Sequence, residues 1–225
     1  MAHDSLQDEL EKLKEDLLKM GRLLQQQVDN AVKALTDKDI QLAQQVIEND
    51  DLIDAMEMDI EKRALGLIAL KQPVAKDLRL IASIFRIIID IERMADHAED
   101  IAQAANDLYD QVYIKPLIDI PRMAAVAQDM LEKALKSFTE ENYDLAMALI
   151  PLEKELDGLY DQVFNELLIY MMRDQKNIPQ ATALLLIAGH LERIGDHTTN
   201  IAEMVVYVLE GRRIDLNRIS RERSS

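Results

Sequence analysis

The segment Ile91-Glu92-Arg93-Met94-Ala95-Asp96-His97 is written a second time, one hundred residues later, as Leu191-Glu192-Arg193-Ile194-Gly195-Asp196-His197. This echo restricts the fold more than any other feature, because a chain that repeats a unit of this size is built from two similar parts. Both copies follow a long apolar run and lead into Ile101-Ala102 or Ile201-Ala202. The repeated unit is therefore a helix whose apolar stripe is interrupted by acids.

The register extends beyond the motif. Ala31-Val32-Lys33-Ala34-Leu35-Thr36 lies over Ala134-Leu135-Lys136-Ser137-Phe138-Thr139, Leu42-Ala43 over Leu145-Ala146, Asp50 over Glu153 and Asp54 over Asp157. A length difference of three residues in the turn around Pro73 reconciles this register with the later one.

Helical spacing of Leu6, Leu10, Leu13, Leu17, Met20, Leu24, Val28, Val32 and Leu35 predicts a first helix with a Gln-rich outer face, interrupted only mildly by Gly21. Thr36-Asp37-Lys38-Asp39 offers N-cap side chains to a second helix that ends before Pro73, where a third begins and runs to about Asp110. Two prolines between Tyr113 and Pro121 mark a linker. A fourth helix to Phe138 follows, then a fifth capped within Thr139-Glu140-Glu141-Asn142 and kinked by Pro151, and a sixth from Ile178 to Gly211. The predicted architecture is all-α: two tandem three-helix bundles, 1–112 and 113–211, and a basic tail, 212–225, expected to fray.

Only six glycines and five prolines agree with an all-helical chain. The absence of cysteine excludes disulfides and thiolate metal sites, leaving oxygen or imidazole as metal donors. A net charge of −16 repels nucleic acid and anionic lipid and favours cations or basic protein surfaces as partners. The first ten residues carry acids where a signal peptide carries bases, and the apolar runs are too short to span a bilayer. A cytoplasmic protein with no nucleic-acid partner and no direct membrane insertion is the expectation.

At about 100° per residue, Glu92 projects within about 20° of the stripe of Ile81, Phe85 and Ile88, and Asp96 about 40° further round, so these acids continue an inward seam. Arg79, Arg86, Asp90, Arg93 and His97 fall on another side and are expected to be solvated. Asp50, Asp54, Glu57 and Glu61 form an acidic stripe on the second helix. If helices two and three are antiparallel neighbours, Asp50, Asp54, Glu92, Asp96 and Asp100 meet, and the second half offers Glu153, Asp157, Glu192 and Asp196, with Asn200 replacing Asp100 and Tyr160 replacing Glu57.

Chance alone produces about eight acid-x-x-x-acid pairs at this acid content, so one pair means nothing. Recurrence in two helices of both halves points to oxygen-donor cation sites for Mg, Mn, Fe or Zn. Salt bridges from Arg93 and Arg193, to Asp90, Asp96 or a partner protein, are the competing use of these acids. His97 and His197 point about 100° from the neighbouring acid, which favours an exposed or supporting role over ligation.

Gln72-Pro73-Val74-Ala75-Lys76-Asp77-Leu78-Arg79, Ile91-Glu92-Arg93-Met94-Ala95-Asp96 and Leu191-Glu192-Arg193-Ile194-Gly195-Asp196-His197 resemble the PhoU family, from the first helix to Gly211. Met94-Ala95 stands where that family often has Ile-Gly. The resemblance implies a cytoplasmic negative regulator of phosphate uptake, an adaptor between the ATPase subunit of a phosphate ABC transporter and the sensor histidine kinase of the phosphate regulon. It further implies a homodimer and iron, zinc or nickel clusters on the acid-x-x-x-Asp motifs, which fall here on Asp50, Asp54, Glu92 and Asp96 and on Glu153, Asp157, Glu192 and Asp196.

Two other functions compete: a carboxylate-bridged metal-dependent phosphohydrolase and a metal-free helical scaffold. Di-iron oxidase chemistry is disfavoured, since Met94, Ile187 and Ile194, not Glu, precede His97, His190 and His197 by three. The lack of a Gly-rich loop or an inward basic cluster argues against a phosphate cradle.

Overall fold

In the computed structural model, which describes residues 2–222 (side-chain surroundings for 6–219), the chain folds into α1 (Ala2–Asp37), α2 (Ile40–Lys71), α3 (Ala75–Leu108), α4 (Asp119–Thr139), α5 (Tyr143–Met147), α6 (Leu149–Arg173), a 3-10 turn (Gln175–Asn177), α7 (Ile178–Glu210) and α8 (Leu216–Glu222). The apolar stripe of α1 is buried along its length, from Leu6 at 6% exposure to Leu35 at 0%. Its helix forms because that stripe faces α2 and α3 at helical spacing. One half packs α1, α2 and α3 together, the other α4, α6 and α7.

Equivalent residues cap equivalent helices. Asp39 accepts from the Leu42 N–H at 3.0 Å, and Asn142, its counterpart in the repeat, accepts from the Leu145 N–H at 3.1 Å. Each satisfies a donor that the first helical turn leaves unpaired. α3 starts after Pro73 because Gln72 closes α2 in the left-handed region, with φ 49°.

The halves do not stand apart. α3 lies along α7 and α1 along α4, and the buried apolar side chains form one continuous cluster. α1 and α4 approach closely at Gly21, where a Cβ would lie 2.3 Å from Leu135 Cδ1. The glycine thus serves close packing, since an added Cβ would have to displace the Leu135 side chain. Gln27, expected on a Gln-rich outer face, is 2% exposed, and its side-chain amide has no hydrogen-bond partner. The linker is anchored to both halves: Tyr113 Oη donates to the Leu35 carbonyl at 2.6 Å, and the Ile114 N–H to Gln180 Oε1 at 2.6 Å. Lys115 pairs with Asp119 at 2.8 Å and with Glu166.

Two expectations change. Pro151 does not kink a long helix; the chain breaks at Ala148, so that Pro151 sits in the first turn of α6, where its missing N–H removes no helical bond. The tail, expected to fray, contains α8, which buries Leu216 to 1% exposure and holds its N–H on Glu203 at 2.9 Å. Residues 223–225 of that expectation lie outside the described residues. Among the described residues, no helix is long and apolar enough to cross a membrane.

Candidate metal centre between antiparallel helices

The short turn at Pro73 makes α2 and α3 antiparallel neighbours and brings the far end of one against the far end of the other. Asp50, Asp96 and Glu99 each place a carboxylate oxygen within 4.8 Å of the others. Asp50 Oδ1 is buried and has no hydrogen-bond partner. Burial, then Asp54, Glu99, Asp96 and Asp51, push the Asp50 carboxyl up to about 6. Glu99 is raised by burial and then by Asp100 and Asp96. Asp96 is raised by burial and then by Asp54 and Asp100. Further along the seam, burial followed by Asp96, Glu57 and Asp54 raises Glu92.

These directions describe one region of negative charge that Arg93 offsets only in part, at Glu92 and Asp96. A convergent oxygen-only donor set with an orphaned buried oxygen fits a hard or borderline cation, which would supply the missing positive charge and the partner for Asp50. Asp50, Asp96 and Glu99 would hold it, with Asp54 and Glu92 alongside.

The spacing points to Asp100 in this seam, but the structure puts Glu99 there instead. At about 100° per residue, positions three and four beyond Asp96 lie on opposite sides of it, so the crossing with α2 decides which one faces inward. Glu99 faces α2. Asp100, with 58% of its side chain exposed, reaches His190 on α7 at 3.5 Å.

In the second half Glu153 is 8% exposed, Glu192 and Asp196 are half-buried and Asp157 is exposed. Burial and then Asp196 and Asp157 raise Glu192, with Arg193 opposing. Among the described residues, no three of these four bring their oxygens within 4.8 Å of one another. Asn200 is not in this seam: its Nδ2 donates to Asp90 Oδ1 at 3.0 Å.

Of the side of α3 expected to be solvated, Arg86 and Arg93 are exposed, but the rest turns toward α7. Asp90 and His97 are half-buried, and Asp90 Oδ1 lies 2.7 Å from His197 Nδ1 rather than pairing with Arg93. His97 Nδ1 lies 3.3 Å from His190 Nδ1. Burial, then His190 and His197, push His97 down to about 4, and burial lowers His190 as well. Beside Asp90 a groove of about 260 Å³ opens to solvent, lined by Arg86, Arg93, Asn200 and Glu203.

A tandem helical duplication, with acids set into matching seams of two three-helix bundles, defines a class of acidic two-bundle proteins. Within that class the chain belongs to the PhoU family: the PhoU domain is matched twice, over residues 17–105 and 120–205. It is similar to the "phosphate-specific transport system accessory protein PhoU homolog" of Clostridium acetobutylicum, with 37% identity over 96% of this chain and 100% of that protein. The Aquifex aeolicus protein of the same name is 40% identical over 90% of this chain and 92% of its own. The crystal structure of PhoU from Pseudomonas aeruginosa superposes with a TM-score of 0.88 at 39% identity, covering 92% of this chain and 99% of that one. The phosphate transport system regulatory protein PhoU from Streptococcus pneumoniae gives 0.87 at 32%, covering 93% and 99%.

Proposed function

We propose that this chain is a cytoplasmic, non-enzymatic negative regulator of phosphate uptake. It acts as an accessory protein of a phosphate-specific transport system, docking on the transporter ATPase subunit and on the sensor histidine kinase of the phosphate regulon as a homodimer. The observation that carries this is the family match in both halves, together with close likeness to accessory and regulatory proteins over almost the whole chain. The α2–α3 seam is the cation site, holding iron or zinc, with Mg, Mn or Ni as other occupants. Glu153, Asp157, Glu192 and Asp196 form a weaker counterpart that closes on its ion only when loaded. Cation occupancy neutralises part of the −16 charge and so tunes docking on partners.

Deleting the gene and measuring phosphate control, beside co-purification of the untagged protein with and without chelator, tests this. Loss of phosphate repression, with transporter or kinase captured in a chelator-sensitive way, is expected. Intact phosphate control and no capture would overturn it. Nucleotide or phosphoester turnover with Mn or Mg, abolished by changing Asp50 and Asp96, would instead establish an enzyme.

A further inference from the structure

The internal repeat maps one polar cluster between α3 and α7 onto another. Asp90 corresponds to His190, His197 to His97 and Asn200 to Asp100. In the first cluster the groups are complementary: His197 Nδ1 at 2.7 Å and Asn200 Nδ2 at 3.0 Å both address one oxygen of Asp90. A carboxylate oxygen has the lone pairs to receive two donors.

In the second cluster an imidazole takes the central place. His190 Nδ1 faces His97 Nδ1 at 3.3 Å and Asp100 Oδ2 at 3.5 Å. The nitrogen of a neutral imidazole carries either one proton or one lone pair, so His190 Nδ1 cannot serve two acceptors fully, and a carboxylate donates nothing. Three potential ligand atoms therefore converge, all within 4.8 Å of one another. Ligands bound tetrahedrally at about 2.0–2.1 Å from zinc stand roughly 3.3–3.5 Å apart. The two separations involving His190 are edges of such a tetrahedron.

We infer that His97, Asp100 and His190 form a transition-metal site of the zinc class, clamping α3 of the first half to α7 of the second. Two imidazoles and one carboxylate are a donor set for zinc or iron(II) that leaves coordination positions for water. The exposed side of Asp100 gives the ion access from solvent. This site shares no residue with the carboxylate seam and does not depend on it. Its ligands include nitrogen, whereas the seam offers oxygen alone.

Cobalt(II) titration of the untagged full chain tests the assignment. Tetrahedral nitrogen and oxygen ligation gives intense visible absorption; oxygen ligation in the seam gives only the weak bands of a six-coordinate ion. The intense band is expected in the unmodified protein and in a seam variant carrying Asp50→Asn, Asp96→Asn and Glu99→Gln. Added to that seam variant, His97→Gln and His190→Gln should lose it, with zinc affinity reduced at least about tenfold, whereas His197→Gln in the sister cluster should keep it. If a histidine variant fails to fold by circular dichroism, Asp100→Asn, at an exposed position, replaces it with the same expected loss. Weak bands alone in the unmodified protein, loss of the band in the seam variant, or unchanged binding in the folded ligand variants would overturn the proposal.

Discussion

Asp50 is the residue on which the seam turns. Its carboxyl is raised from 3.8 to about 6 by burial and by neighbouring acids. Folding thus favours the protonated form. The associated stability is fully present below about pH 4 and is lost as pH rises through about 6. In metal-free protein, Asp50→Asn should match the parent near pH 4 and be more stable by about 1–2 kcal/mol at pH 7, after allowance for solvent screening. Urea titrations at the two pH values check this; a gap that does not widen with pH would show that Asp50 is not strained by its surroundings. Asp50 and Asp96 were legible in the sequence as residues of a repeated pattern. Glu99 was not, because one step on α3 moves a side chain by about 100° and the spacing alone does not say where α2 crosses. The histidine cluster was hidden for another reason: it is assembled from residues on two helices in different halves, and nothing in the sequence states that α3 lies against α7.

The elements were more legible than the contacts between them. Periodicity locates the long helices, and Asp39 and Asn142 mark the helix starts at matching points of the repeat. The break at Ala148 and the docking of α8 depend on tertiary surroundings that a local pattern does not carry. Packing in α6 and α7 makes a prediction of its own. A Cβ at Gly195 would lie 2.3 Å from Leu156 Cδ2, whereas one at Gly158 would meet nothing within 4 Å. Gly195→Ala should therefore destabilise the protein by about 1–3 kcal/mol through overpacking. Gly158→Ala, in an exposed helical position, should stabilise it by roughly 0.5–1 kcal/mol. Denaturation midpoints of the two variants should move in opposite directions.

At the scale of the molecule, one continuous core joins the two repeats, and the α3–α7 contact lies at its centre. Unfolding should accordingly be shared. Ile87→Ala, at a site with 0% exposure, should cost about 2–5 kcal/mol. It should also accelerate amide exchange in α4 and α7 as well as in α1 to α3. Acceleration confined to the first half would mean that the repeats unfold as separate domains. Removal of bound cations should act in the same direction, because any ion held only by the folded chain adds to its stability by mass action.

Manganese(II) uptake by the untagged protein, followed by loss of the free-ion electron paramagnetic resonance signal, reports occupancy of the α2–α3 seam, since this hard cation prefers oxygen donors. The comparison is between the unmodified chain and the variant carrying Asp50→Asn, Asp96→Asn and Glu99→Gln. Saturable uptake by the first, clearly reduced in stoichiometry or affinity in the folded variant, is the predicted result. Equal uptake by both, or none by either, would contradict a cation site in the α2–α3 seam.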